Sequence, residues 1–480
     1  MSQHKQVGLV WFRSDLRIVD NTALSEAAKR CDQLIGLYIS TPMQWHEHHI
    51  APMQVDLIRR RLPVLRDQLA SIGIPFVFKE VSDFEQIPQV ILDTVQDHGI
   101  SHVFCNKQYE WNELQRDDKT GHRLAEQQIK FSAFDDCCVI TPGKVLTKKG
   151  EAFKVFTPFR KEWLNLFRAL SPSPLPIPEP LASPIKKFKQ NDISVTYPLA
   201  DSMGWPVEEE TIRQRLVTFC YEKVEDYHQH RDIPSIDGTS CLSPYLALGM
   251  LSPRQCIAAL LAVSPMCMDE PEGGAFSWLN EIIWREFYRH LLVAYPSLCR
   301  GQPFQQWTQN VKWQPSSELL SAWQHGLTGY PIVDAAMRQL KQTGWMHNRL
   351  RMITASFLTK DLLIHWQAGE QWFMSQLVDG DFASNNGGWQ WAASTGTDAQ
   401  PYFRVFNPTT QGERFDPKGE FIRTWLYELK DVPDKYIHKP HLWPESGKIN
   451  YPKPIVDHKQ ARLLAISSFK VAKDEYNPLI

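Results

Sequence analysis

Residues 379–398 read Asp-Gly-Asp-Phe-Ala-Ser-Asn-Asn-Gly-Gly-Trp-Gln-Trp-Ala-Ala-Ser-Thr-Gly-Thr-Asp. An ordinary core helix or strand would not use this density of carboxylates, carboxamides, glycines and indoles. Polar groups buried beside tryptophans need hydrogen-bond partners. Aromatic surface mixed with such groups, and glycines that let the backbone come close, suits a large, flat, polar ligand. The segment reads as a cofactor pocket.

Residues 278–290 read Trp-Leu-Asn-Glu-Ile-Ile-Trp-Arg-Glu-Phe-Tyr-Arg-His. At about 100° per residue, Trp278, Glu281, Arg285, Tyr288 and Arg289 share one third of a helix, Trp284 borders it, and Ile283 and Phe287 point away. A charged helix face is ordinarily just solvated. Here Trp and Tyr interrupt the charges on the face that should be wet, and arginine among aromatics suits phosphates and bases. A helix starting at 329–331 breaks near Thr343-Gly344 and resumes at 345–352. It sets Asn348 four residues from Met352 with Arg349 alongside, which alone reads equally as surface charge plus a core methionine. Residues 238–244, Gly-Thr-Ser-Cys-Leu-Ser-Pro, offer hydroxyls and amides to phosphate oxygens. A plain capping turn at Ser243-Pro244 is the favoured reading of that segment by itself.

The elements that must position these groups fall into two halves. Apolar runs at 7–12, 34–39, 74–78, 102–105 and 138–140 alternate with helix-like segments such as 21–29 and 55–72, which predicts a parallel sheet with helices on both faces. Ligands in such sheets sit beyond the carboxyl ends of strands, which draws attention to 106–113. Neither G-x-G-x-x-G nor G-x-x-x-x-G-K occurs there. Prolines at 172, 174, 176, 178, 180 and 184 predict an extended connection. Beyond about 205 the period is helical, at 211–227, 253–262, 275–292, 332–341, 345–366 and 370–377. The expected division is an α/β domain at 1–140, a linker at 141–204 that is Pro-rich at 171–184, and a helical domain at 205–480.

A chain of 480 residues exceeds the usual size of one core. Its net charge of -2 excludes a globally basic protein, so any nucleic-acid contact must come from a local patch. Nine scattered cysteines, with Cys137 and Cys138 adjacent and no C-x-x-C, signal neither a zinc site nor a disulfide framework and fit a reducing cytoplasm. The short apolar stretch 7–12, followed by Arg13 and Asp15, does not read as a signal peptide, and no run has membrane-span length. Of 17 tryptophans only Trp11, Trp45, Trp111 and Trp163 precede residue 201, which points to chemistry in the second half. The cluster Trp45-His46-Glu47-His48-His49 lacks helical i, i+4 ligand spacing and a distant partner motif, so it reads as a surface loop rather than a metal site.

Together with Val-Trp-Phe-Arg-Ser-Asp-Leu-Arg at 10–17, the segments at 278–290, 343–352 and 379–398 resemble the DNA photolyase/cryptochrome family. They are most similar to bacterial class I cyclobutane pyrimidine dimer photolyases of the folate-antenna type, from residue 10 to about Leu464. The resemblance implies a Rossmann-like antenna domain with a parallel sheet, followed by an all-α domain that binds FAD. Tyr227, Thr239, Ser240, Leu242 and Ser243 would hold the ribityl and phosphate part. Arg351, Asp379, Gly380, Asp381 and Asn385 would line flavin and adenine, with Asn385 at the flavin N5. Position 241 is Cys where relatives often carry Arg.

The implied substrate is UV-damaged DNA with a flipped-out pyrimidine dimer. Glu281 would be the acid beside the lesion, Trp284 and Trp391 the stacking walls, and Asn348 and Met352 further contacts. Arg285, Arg349 and Gln411 would reach phosphates, and Trp278 and Tyr288 belong to the same binding face. Excited reduced FAD would split the dimer by electron transfer, with Trp389, Trp366 and Trp313 as the chain that re-reduces it. Asn112, Glu113 and Cys299 match antenna contacts, for methenyltetrahydrofolate first and a deazaflavin second. Relatives often carry Lys at position 300, and this chain has Arg. A cytoplasmic, monomeric deoxyribodipyrimidine photo-lyase is expected. The rivals are a cryptochrome-type light sensor, whose members often extend further past the flavin domain, and a (6-4) photoproduct photolyase. The latter needs a histidine pair where Asn348 and Met352 stand, and His347 alone does not make it.

Overall fold

An apolar run without alternation is what a strand covered on both faces requires, and Val7–Phe12 forms β1 at the centre of a parallel sheet. The computed structural model describes residues 6–185, 188 and 191–476. The other strands are β2 (Gln33–Ser40), β3 (Phe76–Glu80), β4 (His102–Asn106) and β5 (Lys130–Phe134), in the order β3-β2-β1-β4-β5, all parallel. Val10 lies level with Gly36 on one side and Phe104 on the other. Helices α1 (Thr22–Arg30), α2 (Pro42–Glu47), α3 (Pro52–Ser71), α4 (Ile87–His98) and α5 (Trp111–Glu126) intervene.

The fifth strand is not at 138–140. Residues there are apolar, but the amides of Val139 and Ile140 donate to the buried carboxylate of Glu286 and so cannot join a ladder. The strand used instead, β5, is an edge strand without a buried residue, and it lacks the apolar run that would reveal it. Residues 42–47 likewise form a helix rather than the surface loop expected around Trp45.

The later helices are α6 (Phe156–Leu170), α7 (Glu209–Glu222), α8 (Tyr227–His230), α9 (Ser243–Ala247), α10 (Pro253–Val263), α11 (Gly274–Ala294), α12 (Ser317–Gln324), α13 (Pro331–Thr343), α14 (Asn348–Ser356), α15 (Trp366–Gln376), α16 (Phe382–Ala393), α17 (Pro408–Phe415), α18 (Glu420–Trp425) and α19 (His458–Asp474). Two compact units result. The first takes the described residues before 226 together with 240–299 and 378–380, and the second takes 226–239, 300–377 and those from 381.

This division differs from a boundary near 205, because α7, α10 and α11 group with the sheet. Nor is 141–204 only a crossover. It contains α6, whose Trp163 Nε1 donates to Glu286 at 2.6 Å. The proline-rich stretch is extended but fastened along the α/β layer, with Leu175 N on Asp20 at 2.8 Å and Leu181 N on the Ile72 carbonyl at 3.1 Å.

The motif at 10–17 is a buried lock in the first unit. Arg17 pairs with Asp136, and Arg254 bridges Asp20 and Asp136 at 2.9 Å each. Asn106, at the end of β4, donates to Asp15 at 2.7 Å and Asn21 at 2.9 Å. Burial opposes the Asp136 charge, yet Arg17 and Arg254 overcome it and hold that carboxyl at about 2. Removing one partner from such a buried network costs about 3–5 kcal/mol.

In the second unit, Trp323, Met337, Phe357, Trp366, Phe373 and Trp389 share one core. The helix expected over 345–366 is interrupted. After α14 come a π-turn at Phe357–Asp361 and Leu363 at φ 51°, and then His365 caps α15 by accepting from Gln367 N at 3.2 Å. Among the described residues no helix is long and apolar enough to cross a membrane.

Candidate functional site

Residues 382–393, expected to avoid regular structure, form α16. The helix is possible because its polar side chains find partners within the second unit. Asp381 caps it by accepting from Ser384 N at 2.9 Å. Asn386 donates to the Glu370 carboxylate at 2.7 Å, and Gln390 donates to Asn386 at 3.0 Å and accepts from Phe304 N at 2.9 Å. Asn385 Nδ2 donates to the Glu370 backbone carbonyl at 2.9 Å, which turns its Oδ1 into the acceptor end of the carboxamide. Burial pushes Glu370 up to about 7, against the bond from Asn386. Sequence reading missed Glu370 and Asn386, whose only signal is helical spacing on neighbouring elements.

The three tryptophans of the expected relay comprise two buried indoles and one nearer the surface. Trp389 and Trp366 are each 2% exposed, and Trp313 is half-buried. Trp389 packs edge-on against Phe373 at 4.9 Å and Trp323 at 6.0 Å. Its ring runs so close to Gly369 that a Cβ there would lie 2.1 Å from Trp389 Cη2. His365 stands between the outer pair, 5.9 Å from Trp366 and 5.2 Å from Trp313. Trp391, half-buried, packs against the same core from the same helix as Trp389.

At the start of α14, Asn348 is exposed and Met352 half-buried. Arg349 does not project freely. Its guanidinium forms a two-pronged pair with Asp232 at 3.2 and 2.7 Å and lies 4.4 Å over the Phe415 ring, so its charge is spent internally. His347, 3% exposed, caps α14 through Nδ1, and burial pushes it down to about 4, which keeps it neutral. Gln411 is half-buried on α17. Tyr227 is buried beneath Arg231 at 5.4 Å, Thr239 is half-buried, and Arg351 donates to the Met346 carbonyl at 2.8 Å.

In the first unit, α11 corrects the wet-face expectation. Trp278 is 3% exposed and packs on Phe219 at 5.0 Å, and Arg289 is 5% exposed. Arg285 donates to the carbonyls of Cys137 at 2.7 Å and Leu246 at 3.1 Å. Periodicity placed these residues on one face, but only tertiary contacts reveal that the face meets protein. What remains half-buried is Glu281, Trp284 and Tyr288, beside the tethered Arg285. Trp284 is held flat against Phe156, with centroids 3.7 Å apart and planes 8° apart. Glu286, which sequence reading passed over, is wholly buried and pins 139–140 and Trp163 to α11.

Also in the first unit, Ser240 is half-buried and Ser243 is exposed at the first turn of α9, after Cys241 at φ 50°. Leu242 is 1% exposed, so its side chain is core and only its backbone is available to a ligand. Residues 378–380 are held by Gln54 of α3, whose Nε2 reaches the carbonyls of Val378 at 3.2 Å and Gly380 at 2.8 Å. Asp379 is buried and Gly380 half-buried. Nothing in the local sequence marks Gln54, because the contact spans 324 residues.

The antenna candidates do gather. Asn112 and Glu113 open α5, where His48 lies 2.9 Å from Asn112 Nδ2 and 3.6 Å from Glu113 Oε1. The Trp111 amide faces the Cys299 sulfur, and burial pushes that thiol up to about 11. Burial also pushes the Glu113 carboxyl up, against the charge of Arg116. A cluster of carboxamide, imidazole and a largely desolvated carboxyl suits a heterocycle with ring N–H groups.

Comparison with known proteins bears on both units. Residues 8–180 match the family described as DNA photolyase, and 278–471 match the FAD binding domain of DNA photolyase. A deoxyribodipyrimidine photo-lyase of Vibrio cholerae is 50% identical over 475 residues, covering 97% of this chain and 99% of that one. That of Escherichia coli is 50% identical over 471 residues, covering 97% and 98%. The crystal structure of a bacterial class III photolyase from Agrobacterium tumefaciens superposes with a TM-score of 0.85 at 33% identity, covering 99% of each chain. A Synechocystis sp. PCC6803 cryptochrome gives 0.82 at 26% identity, covering 97% and 99%. With half of its residues shared with photo-lyases over nearly its whole length, the chain belongs to the DNA photolyase family.

Proposed function

We propose that this chain repairs cyclobutane pyrimidine dimers in DNA by light, as a deoxyribodipyrimidine photo-lyase that carries FAD. The observation that carries the reading is the disposition of α16. One helix bears an acceptor-oriented carboxamide at Asn385, a core indole at Trp389 and a half-buried indole at Trp391.

The donor set fits FAD. A carboxamide acceptor matches a ring N–H of the reduced flavin, hydroxyls at Thr239, Ser240 and Ser243 suit the ribityl and phosphate oxygens, and the cation of Arg351 suits the flavin and adenine side. Tyr227, Asp379, Gly380 and Asp381, with the Leu242 backbone, complete the cradle. Reduced FAD, when bound and excited by blue or near-UV light, supplies the electron that opens the cyclobutane ring and recovers it afterwards. Glu281 sits beside the lesion as the hydrogen-bonding acid, Trp284 and Trp391 flank the flipped bases, and Asn348 and Met352 add contacts. Damage weakens stacking and pairing, so flipping a dimer costs less than flipping intact bases. Phe156 fixes the Trp284 plane in advance, which lowers the ordering cost of binding.

Trp313, Trp366 and Trp389 relay electrons from the surface inward, from a half-buried indole to two buried ones. Asn112, Glu113 and Cys299 hold the antenna, with methenyltetrahydrofolate preferred to a deazaflavin. The enzyme acts as a cytoplasmic monomer on damaged DNA. Illuminating purified protein with UV-damaged oligothymidine tests the reading. Thymine absorbance recovers in the light and not in a dark control, whereas tight lesion binding without recovery identifies a sensor instead.

A further inference from the structure

Cys137 and Cys138 play no part in the repair chemistry above, yet they occupy a connected position in the first unit. Their sulfurs lie 3.8 Å apart, with Cys137 partly exposed and Cys138 buried. The carbonyl of Cys137 belongs to the very peptide that joins the two cysteines, and it accepts Arg285 Nη1 at 2.7 Å. The next two amides, Val139 N and Ile140 N, are held by Glu286. Both anchors stand on α11, the helix of Glu281 and Trp284.

We propose that Cys137 and Cys138 form an oxidant-responsive vicinal dithiol that a hydroperoxide converts to a disulfide, and that closing this bond detaches Arg285 of α11 from the Cys137 carbonyl. The Cys137 thiolate attacks the outer peroxide oxygen, breaking the O–O bond and giving a sulfenic acid plus an alcohol or water. The Cys138 sulfur then displaces the sulfenic hydroxyl as water. Two thiol hydrogens and two electrons have passed to the peroxide, and one S–S bond has formed.

Which sulfur attacks follows from the surroundings. The two sulfurs lie within hydrogen-bonding distance, and that contact together with Arg289 and Arg285 favours the Cys137 thiolate against the cost of burial, so Cys137 is shifted down while burial shifts Cys138 well up. Reversibility follows from geometry. Ordinary disulfides join Cα atoms about 4.4–6.8 Å apart, whereas neighbours in a chain are about 3.8 Å apart. Closing the ring must therefore twist the 137–138 peptide, and a strained disulfide is readily reduced. That twist swings away the carbonyl holding Arg285, leaving only its bond to Leu246.

The test treats the full-length FAD-loaded protein with hydrogen peroxide, alkylates free thiols and maps the peptide containing 137–138. The expected result is loss of both alkylations together and a mass 2 Da lower for the unalkylated pair, about two hydrogens, restored by dithiothreitol and absent in Cys138→Ser. Both thiols remaining alkylated, or Cys137 advancing to sulfinic acid with Cys138 untouched, overturns the proposal. The link to α11 rests on the DNA-binding reading and is checked by dark binding of a dimer-containing oligonucleotide. Oxidised wild type loses affinity, because α11, which carries Glu281 and Trp284, has lost one of its anchors, while peroxide-treated Cys138→Ser does not. A disulfide without any affinity change refutes the Arg285 coupling. Failure of the untreated protein to bind refutes the repair reading instead and leaves the thiol mapping intact.

Discussion

Glu370→Gln isolates the carboxylate that organises α16. Glu370 is 8% exposed, its carboxylate accepts from Asn386, and its backbone carbonyl accepts from Asn385. Burial raises it from 4.5 to about 7 in the folded protein. The folded state therefore holds this proton more tightly than the unfolded chain does. Stability is fully present below about pH 4.5 and is lost as pH rises toward 7, after which the loss is constant. Moving the carboxyl from 4.5 to about 7, at about 1.4 kcal/mol for each tenfold change in proton affinity, makes the loss about 3 kcal/mol. Glutamine keeps the acceptor for Asn386 but cannot ionise. The second amide hydrogen it introduces adds an offset that is independent of pH and cancels when pH values are compared. Urea denaturation of wild type and variant at pH 4.5 and pH 8 is the assay. The stability difference, variant minus wild type, should grow by about 3 kcal/mol between those pH values, while FAD retention is unchanged because Asn385 bonds to the main chain. Parallel stability profiles would refute a buried, proton-holding Glu370.

Trp389→Phe should block photoreduction of oxidised flavin, read by loss of flavin absorbance under light, yet spare repair by chemically reduced enzyme; normal photoreduction would rule out the tryptophan relay. Glu281→Ala should lower repair per absorbed photon more than it lowers affinity for dimer-containing DNA in a gel-shift titration, and a loss confined to binding would sink that role. Gly369→Ala places a methyl 2.1 Å from Trp389 Cη2 and 2.6 Å from Leu358 Cδ2 inside a packed core. It should cost at least about 1–3 kcal/mol by thermal denaturation, and a wild-type melting temperature would show that the core yields more freely than its packing implies.

Much of the fold was legible because it rests on local periodicity. Apolar runs announced β1, β2 and β4, and 3.6-residue spacing announced α10, α11 and α13. The misses share a cause. Residues 130–134 are an edge strand without an apolar run, and 138–140 look like a strand but spend their amides on Glu286. In α16, Asn386 and Gln390 look unfit for a helix interior until Glu370 and Phe304 are seen to meet them.

The sequence by itself determined the family, the two kinds of architecture and the residue types available at 278–290, 345–352 and 379–398, since identity and spacing are properties of the chain. Tertiary structure alone decided which of those groups are free to act. Arg285 and Arg349 read as phosphate-seeking cations, but one is tied to two carbonyls and the other to Asp232. Trp278 reads as part of a binding face but is core against Phe219. A helical pattern gives the direction of a side chain but not what stands opposite it, because the partners that satisfy a buried charge come from other elements of the chain, as Cys137 does for Arg285 and Asp232 for Arg349.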